Sequence, residues 1–188
     1  MVQTRSAFVT PQGSRKRAKT TRDSSTQTTV IYQGSRAETK TFVANIAHTA
    51  VNFSNTRMNA IAQGNANFER NGTKVKVLRL EGLVRSSDNQ SLRLTIYAPK
   101  NSADTLGSNL TGSIDRDQYW VVKDWWLHPG TNNDNRGNFF SVKLPMGAIA
   151  EYIGATGTNM RKNNFFLRCQ STGSDTILGY TRCWYIDP

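Results

Sequence analysis

The stretch Ser91-Leu-Arg-Leu-Thr-Ile-Tyr-Ala98 is the clearest strand signal in the chain. Its aliphatic residues Leu92, Leu94 and Ile96 alternate with Arg, Thr and Tyr, which places the three on one face of an extended backbone. This period of two predicts a β-strand with one buried face. Helical periodicity nowhere lasts beyond about two turns, and the best helical candidate is a single turn over 148–153.

The stretch 73–85 also predicts a strand, with one irregularity. Val75 and Val77 share one face of it, whereas Leu78 and Leu80 share the other. The buried face therefore changes partway along the strand. A β-bulge between the two pairs, or burial on both faces, would explain the change.

Outside these two stretches, short β-branched and aromatic runs alternate with clusters of Gly, Asn, Ser, Asp and Thr. This pattern is typical of an all-β domain. Eight short strands predict a sandwich or a barrel, with long polar connections at 99–118 and 129–137 on the surface. The predicted strands are 39–47, 51–61, 73–85, 91–98, 119–128, 138–144, 163–170 and 176–187.

The charge of the chain is unevenly distributed. The 188 residues carry 24 Lys and Arg against 13 Asp and Glu, a formal net charge of +11. Residues 1–22 hold no acid and contribute +6 of this total through Arg5, Arg15, Lys16, Arg17, Lys19 and Arg22. Residues 1–38 also contain few residues that could be buried, so we predict a disordered basic arm at 1–38 and a folded domain at 39–188.

Several classes of protein are not expected from this sequence. No apolar run is long enough to span a bilayer and no signal peptide is visible, so we expect neither a secreted nor a membrane protein. Glycine-rich phosphate loops and nucleophile motifs are absent, which predicts no enzyme and no cofactor.

Isolated residues that could carry chemistry have simpler interpretations. Cys169 and Cys183 are too few and too far apart for a zinc site, and we interpret them as reduced thiols in the core. Asp115 and Asp117 flank an arginine, which favours a solvated turn over a catalytic pair. The 130–137 loop has oxygen donors but lacks the closing Glu of an EF-hand, so we predict a polar loop and no metal site.

The basic arm indicates a polyanionic partner. Its six cations could neutralise phosphates without sequence specificity, with a salt slope of roughly 4 on a single strand. Arg15, Lys16, Arg17 and Lys19 also form a candidate nuclear-import signal, for which host import factors would be the partners. The alternative is a merely solubilising arm.

The body has a second basic group, Arg70, Lys74, Lys76 and Arg79. Lys74 and Lys76 lie on the strand face opposite Val75, so they could line a surface that faces nucleic acid. An ordinary solvated face is the alternative. The segment 119–126 interleaves aromatic and charged residues, which suits base stacking, although tryptophans in such a domain more often serve the core or a subunit interface.

The order of these segments resembles the capsid proteins of small circular, Rep-encoding single-stranded DNA viruses, the circovirus-like group. A basic arm precedes an Ile-x-x-Gly turn and an Arg-x-Gly-x-Lys-hydrophobic-x-hydrophobic motif, to which Arg70, Gly72, Lys74, Val75 and Val77 correspond. The similar segments are Ile61-Ala-Gln-Gly64, Phe68-Glu-Arg-Asn-Gly-Thr-Lys-Val-Lys-Val77, Leu80-Glu-Gly-Leu-Val84, Val121-Val-Lys-Asp124, Asn164-Phe-Phe-Leu167 and Cys183-Trp-Tyr-Ile-Asp187.

The resemblance implies an eight-stranded antiparallel jelly roll and a shell of about 60 copies with T=1 icosahedral symmetry. The arm would point inward and package single-stranded DNA, and the protein would be found in the virion and in the host nucleus during assembly. Two alternatives stay open at this point. One is the coat protein of a satellite-type RNA virus, and the other is a non-viral β-barrel module that binds single-stranded nucleic acid.

Overall fold

The protein is all-β in a computed structural model, as the sequence predicts. The structure describes residues 38–187 except 65, 67, 88–89, 102–104, 108–110 and 129–136. The arm predicted at 1–38 therefore lies almost entirely outside the described residues. The described part contains no helix, and hence none that could cross a membrane. Its strands are β1 (Thr39–Arg57), β2 (Lys74–Ser86), β3 (Leu92–Pro99), β4 (Tyr119–Leu127), β5 (Asn138–Tyr152), β6 (Met160–Lys162) and β7 (Phe166–Ile186).

Two strands are much longer than the sequence indicates. The strands predicted at 39–47 and 51–61 are one strand, β1, which ends at Arg57. Those predicted at 163–170 and 176–187 are likewise one strand, β7, of 21 residues. The pairing of β1 with β7 is irregular between His48 and Phe53, a stretch that includes the gap at 48–50 between the two predicted strands. The helical turn predicted at 148–153 is also wrong, since 148–152 belong to β5.

All pairings among these strands are antiparallel, and they fall into two groups on either side of a common corner. In the β2 half, Thr39–His48 of β1 pairs with Ile177–Ile186 of β7. The same part of β7 pairs on its other side with β2, and β2 pairs in turn with β5. In the β3 half, the end of β1 pairs with the start of β7, which pairs with β3, which pairs with β4. The short β6 extends the β5 edge.

The two halves share one core because the sheet curls back on itself. Val77 and Leu80 of β2 and Leu94 and Ile96 of β3 are fully buried in the same hydrophobic cluster. Sheet halves that bury their apolar faces against each other are the usual solution for an all-β domain.

Of the two explanations that the sequence leaves open for the change of face in β2, the bulge is present. The register of β2 shifts between Val77 and Arg79 against both of its neighbours, β5 and β7. One extra residue in a strand reverses the side on which the following residues lie. The bulge therefore buries both Val77 and Leu80, and it keeps Arg79 on the same outward side as Lys76.

Strand β3 is buried on both faces, which corrects the prediction of one buried face. Its outer face is covered by described residues of the connection to β4 and the start of that strand, where Leu106 and Tyr119 pack against Tyr97 and Phe166. The Tyr97 hydroxyl accepts a hydrogen bond from the Leu106 N–H at 3.0 Å and donates one to Asn55 Oδ1 at 3.0 Å. Part of the connection predicted as a surface excursion thus covers the sheet.

Candidate nucleic-acid interface

The outward side of the β2 half is rich in cations. Residues in register across β5, β2 and β7 share this side, while their neighbours along each strand face the core. Six cations and two carboxylates are found there among the described residues, an excess of four positive charges. These residues form the basic face: Lys74, Lys76, Arg79, Arg85, Lys143 and Arg182, with Glu81 and Glu151.

Two arginines enclose one carboxylate at the centre of the basic face. Arg79 Nε lies 3.6 Å from Glu81 Oε2, and Arg182 Nη1 lies 3.3 Å from Glu81 Oε1. The Glu81 side chain is only 9% exposed, whereas Arg79 and Arg182 remain 35% and 39% exposed. The arginines therefore cover the carboxylate and present the positive charge to the outside.

Trp184 supports the same two arginines. It lies directly opposite Arg79 in the pairing of β2 with β7. The guanidinium carbons of Arg79 and Arg182 are 4.8 Å and 5.9 Å from the indole centroid. A guanidinium stacked on an aromatic ring keeps its N–H donors free at the edge, where a phosphate can accept them.

The remaining lysines are arranged around this centre. Lys143 of β5 is exposed and lies directly opposite Arg79. Lys74 forms an exposed ion pair with Glu151 at 3.3 Å, a kind of contact that contributes about 0–1 kcal/mol to stability. Lys74 and Lys76 share the outward side and Val75 and Val77 are fully buried, as the alternation predicts.

Arg70, the fourth member of the predicted body group, does not belong to the basic face. Its side chain is fully buried. Its guanidinium donates hydrogen bonds to the carbonyls of Ile61 at 3.0 Å and Gly154 at 2.6 Å, and also to that of Gly72. It also stacks 4.2 Å from the Tyr152 ring centroid. Arg70 therefore ties two loops together and is not placed to meet a nucleic acid.

The predicted arm contacts lie outside the described residues. They are Arg5, Arg15, Lys16, Arg17, Lys19 and Arg22, four of which also make up the predicted import signal. Their role stays a prediction.

Three residues at or beside the basic face were not predicted as part of an interface: Lys143, Arg182 and Trp184. Tyr180, Arg182 and Trp184 alternate with Thr181 and Cys183, which are fully buried. That alternation is visible in the sequence, but it does not show that β7 pairs with β2. Only this pairing brings Arg182 and Trp184 beside Arg79.

The other candidate residues are accounted for by local structure. Asp115 and Asp117 are exposed in a turn, where the Asp117 N–H donates to Asp115 Oδ1 at 2.8 Å. Cys169 and Cys183 are buried free thiols, as predicted. Burial raises the pKa of Cys169 to about 12, and it also raises the pKa of Cys183. Both are therefore poor nucleophiles at neutral pH.

No cluster of three metal-ligating side chains occurs within the described ranges. The 130–137 loop lies outside them apart from Gly137. Among the described residues, the lining of a pocket of about 240 Å³ beneath the 111–119 segment contains one carboxylate, that of Asp115.

Comparison with protein-family models and with curated proteins finds no match for this chain.

Proposed function

We propose that this chain is a viral capsid protein with a jelly-roll body. About 60 copies would assemble into a closed T=1 icosahedral shell, and the basic arm of each copy would contact single-stranded DNA inside it. The role is mechanical and electrostatic. The partners are further copies of the chain and the genome.

The observation that carries this proposal is the order of strand pairing. Numbered by the eight predicted strands, the β2 half is ordered 1-8-3-6 and the β3 half 2-7-4-5. A jelly roll consists of two Greek keys wrapped into two four-stranded sheets with this arrangement. Viral capsid proteins are among the proteins that have this fold. The bent strands β1 and β7, each of which contributes to both halves, support this interpretation.

The charge of the arm supports the packaging role. One arm with six cations binds weakly at physiological salt, because each phosphate contact contributes only about 0.7 to the salt slope on a single strand. Some 60 arms in one cavity would bring on the order of 360 positive charges against the genome, so binding becomes strong through multivalency. Empty shells would suffer repulsion between arms, and nucleic acid should promote assembly.

The same arm gives the proposed localisation. Arg15, Lys16, Arg17 and Lys19 form a cluster of four cations in five residues, which is typical of nuclear-import signals. Host import factors would carry the free subunit into the nucleus, and the assembled protein would reside in the virion.

Electron microscopy and size-exclusion chromatography of the full-length protein test this function. Mixed with single-stranded DNA, it should form uniform shells that protect the DNA from nuclease. A protein that stays monomeric or dimeric while binding short oligonucleotides would contradict the capsid role and indicate a binding module. Nuclease-resistant RNA in particles purified from infected or expressing cells would instead indicate a satellite-type coat protein.

A second experiment isolates the arm. All six cations of residues 1–22 are changed to Gln in the full-length chain, which preserves arm length. We expect shells that protect much less nucleic acid. Packaging at the level of the unmodified protein would rule out this role for the arm.

A further inference from the structure

The basic face has three properties that suit it to bind an anion. Its cations are held on a sheet, its arginines are stacked on an indole, and its single central carboxylate is covered by those arginines. A guanidinium stacked on an aromatic ring is already oriented, so less conformational entropy is lost when it binds. The basic face is thus suited to a fixed contact with a phosphate backbone.

The position of the face relative to the start of β1 gives a second argument. Thr39 lies opposite Ile186, and Ile186 lies opposite Lys76. Two strand spacings, roughly 10 Å, therefore separate the first residue of β1 from the basic face. A nucleic acid bound beside Thr39 would therefore lie roughly 10 Å from Lys76 of this face.

We propose that the basic face is a second binding site for single-stranded nucleic acid, separate from the arm and resting on the proposed capsid function. Arg79 and Arg182 donate to phosphate oxygens, and Lys143 extends the contact toward β5. Trp184 orients the two guanidinium groups. The occupant is a phosphate backbone because four excess positive charges on one sheet face complement a polyanion, and the stacked arginines match the geometry of phosphate.

Glu81 has a specific part in this site. Its carboxylate is the anion that Arg79 and Arg182 bind when no phosphate is present. An incoming phosphate must share the arginines with it and is repelled by its charge. Glu81 thus limits the affinity of each face, so that binding depends on many copies acting together.

The test measures affinity for an oligo-dT strand of about 30 nucleotides as a function of salt. The full-length protein is kept below the concentration at which it assembles. A triple variant with Arg79→Gln, Lys143→Gln and Arg182→Gln should lower the salt slope by about 2, since each lost contact removes about 0.7 on a single strand. Circular dichroism establishes that the variant is folded. Because Arg79 and Arg182 are partly buried, Lys143→Gln alone provides a milder variant with an expected loss of about 0.7.

Three matched variants sharpen the result. Lys123→Gln removes an exposed cation that also lies over an indole, 4.7 Å from the Trp125 centroid, but on β4. It should leave the slope unchanged. Arg182→Lys keeps the charge and should keep most of the slope. Glu81→Gln should tighten binding by up to about fivefold, since a charge pair at the surface contributes about 1 kcal/mol at most and a 1.4 kcal/mol difference is a factor of ten.

The outcomes separate the site from the function on which it rests. If shells form and the triple variant binds oligo-dT with an unchanged slope, the basic face is not a nucleic-acid site, although the capsid role stands. If the triple variant binds normally but no longer assembles, the face contacts a second copy of the chain and the proposal is overturned. If the unmodified protein neither assembles nor binds oligo-dT, the proposed function itself fails.

Discussion

The indole ring of Trp125 and the phenyl ring of Phe140 lie 5.5 Å apart between centroids, at an interplanar angle of 59°. Trp125 belongs to β4, in the β3 half, and Phe140 belongs to β5, in the β2 half. Three strands separate β4 from β5 in the order of the sheet, which runs β4-β3-β7-β2-β5. Two rings so far apart along a sheet can meet only if the sheet closes over its own core.

This contact predicts a large cost for Phe140→Ala. Phe140 is 4% exposed and packs in the shared core. Truncation should lower the free energy of unfolding by about 3–5 kcal/mol, through lost burial and the cavity left behind. Urea unfolding of the unassembled protein measures it. The adjacent Phe139→Ala is the matched control, because Phe139 is 60% exposed and should cost no more than about 0.5 kcal/mol. Equal losses at the two positions would contradict the closed core.

The fold class could be predicted because it depends on local periodicity. The alternation of Leu92, Leu94 and Ile96 predicted β3, and the change of face after Val77 indicated either a bulge or burial on both faces. Burial of the outer face of β3 could not be predicted, since it is covered by residues of the following connection and strand, among them Leu106 and Tyr119. The continuity of β1 was also hidden, because β7 supports the irregular stretch between His48 and Phe53.

The candidate site was only partly predictable, because it too depends on contacts between residues that are distant in sequence. Lys74, Lys76 and Arg79 are neighbours in sequence, and simple alternation placed the two lysines correctly. Arg70 was grouped with them by proximity, but carbonyls of Gly154 and Thr156, more than 80 residues away, hold it inside. Sequence proximity therefore identified the basic strand but not which of its arginines is structural.

Gly179 is a position where the backbone itself excludes a side chain. Its φ of +151° is one that residues with a Cβ rarely adopt, and a Cβ there would overlap the carbonyl oxygen of Leu83 in β2. Gly179→Ala should therefore lower the free energy of unfolding by more than about 1 kcal/mol, as is usual where the backbone is incompatible with Ala. Gly107→Ala is the control, because a Cβ at Gly107 meets no atom within 4 Å. If thermal unfolding shows equal losses of stability for the two variants, a backbone requirement for glycine at position 179 is refuted.

Arg70→Lys distinguishes a structural arginine from one that binds nucleic acid. Lysine keeps the charge but cannot reach the carbonyls of Ile61, Gly72 and Gly154 together, and a buried acceptor left without a partner costs about 1–3 kcal/mol. We expect a clear loss of stability, with oligo-dT affinity unchanged at temperatures where the variant is folded. The exposed Arg161→Lys should alter neither. If the folded Arg70→Lys variant binds oligo-dT more weakly, Arg70 would instead belong to the nucleic-acid interface.

The titration of Tyr97 should lower the free energy of unfolding at alkaline pH. Burial raises its pKa from 10.0 to about 12, an effect that the hydrogen bond with Leu106 only partly offsets. The folded state therefore retains a proton that the unfolded state releases above about pH 10. Its contribution to stability is complete below about pH 10 and is lost progressively between about pH 10 and 12.

Tyr97→Phe should remove that part of the pH dependence. At neutral pH the variant should be less stable by about 1–3 kcal/mol, because the Leu106 N–H and Asn55 lose their buried partner. Below about pH 9 the stability profiles of the two proteins should run parallel, which is the internal control. Between pH 10 and 12 the unmodified protein should lose stability more steeply, so that the gap narrows. A gap that stays constant through this range, measured by urea unfolding at each pH, would mean that Tyr97 titrates no differently in the folded and unfolded states.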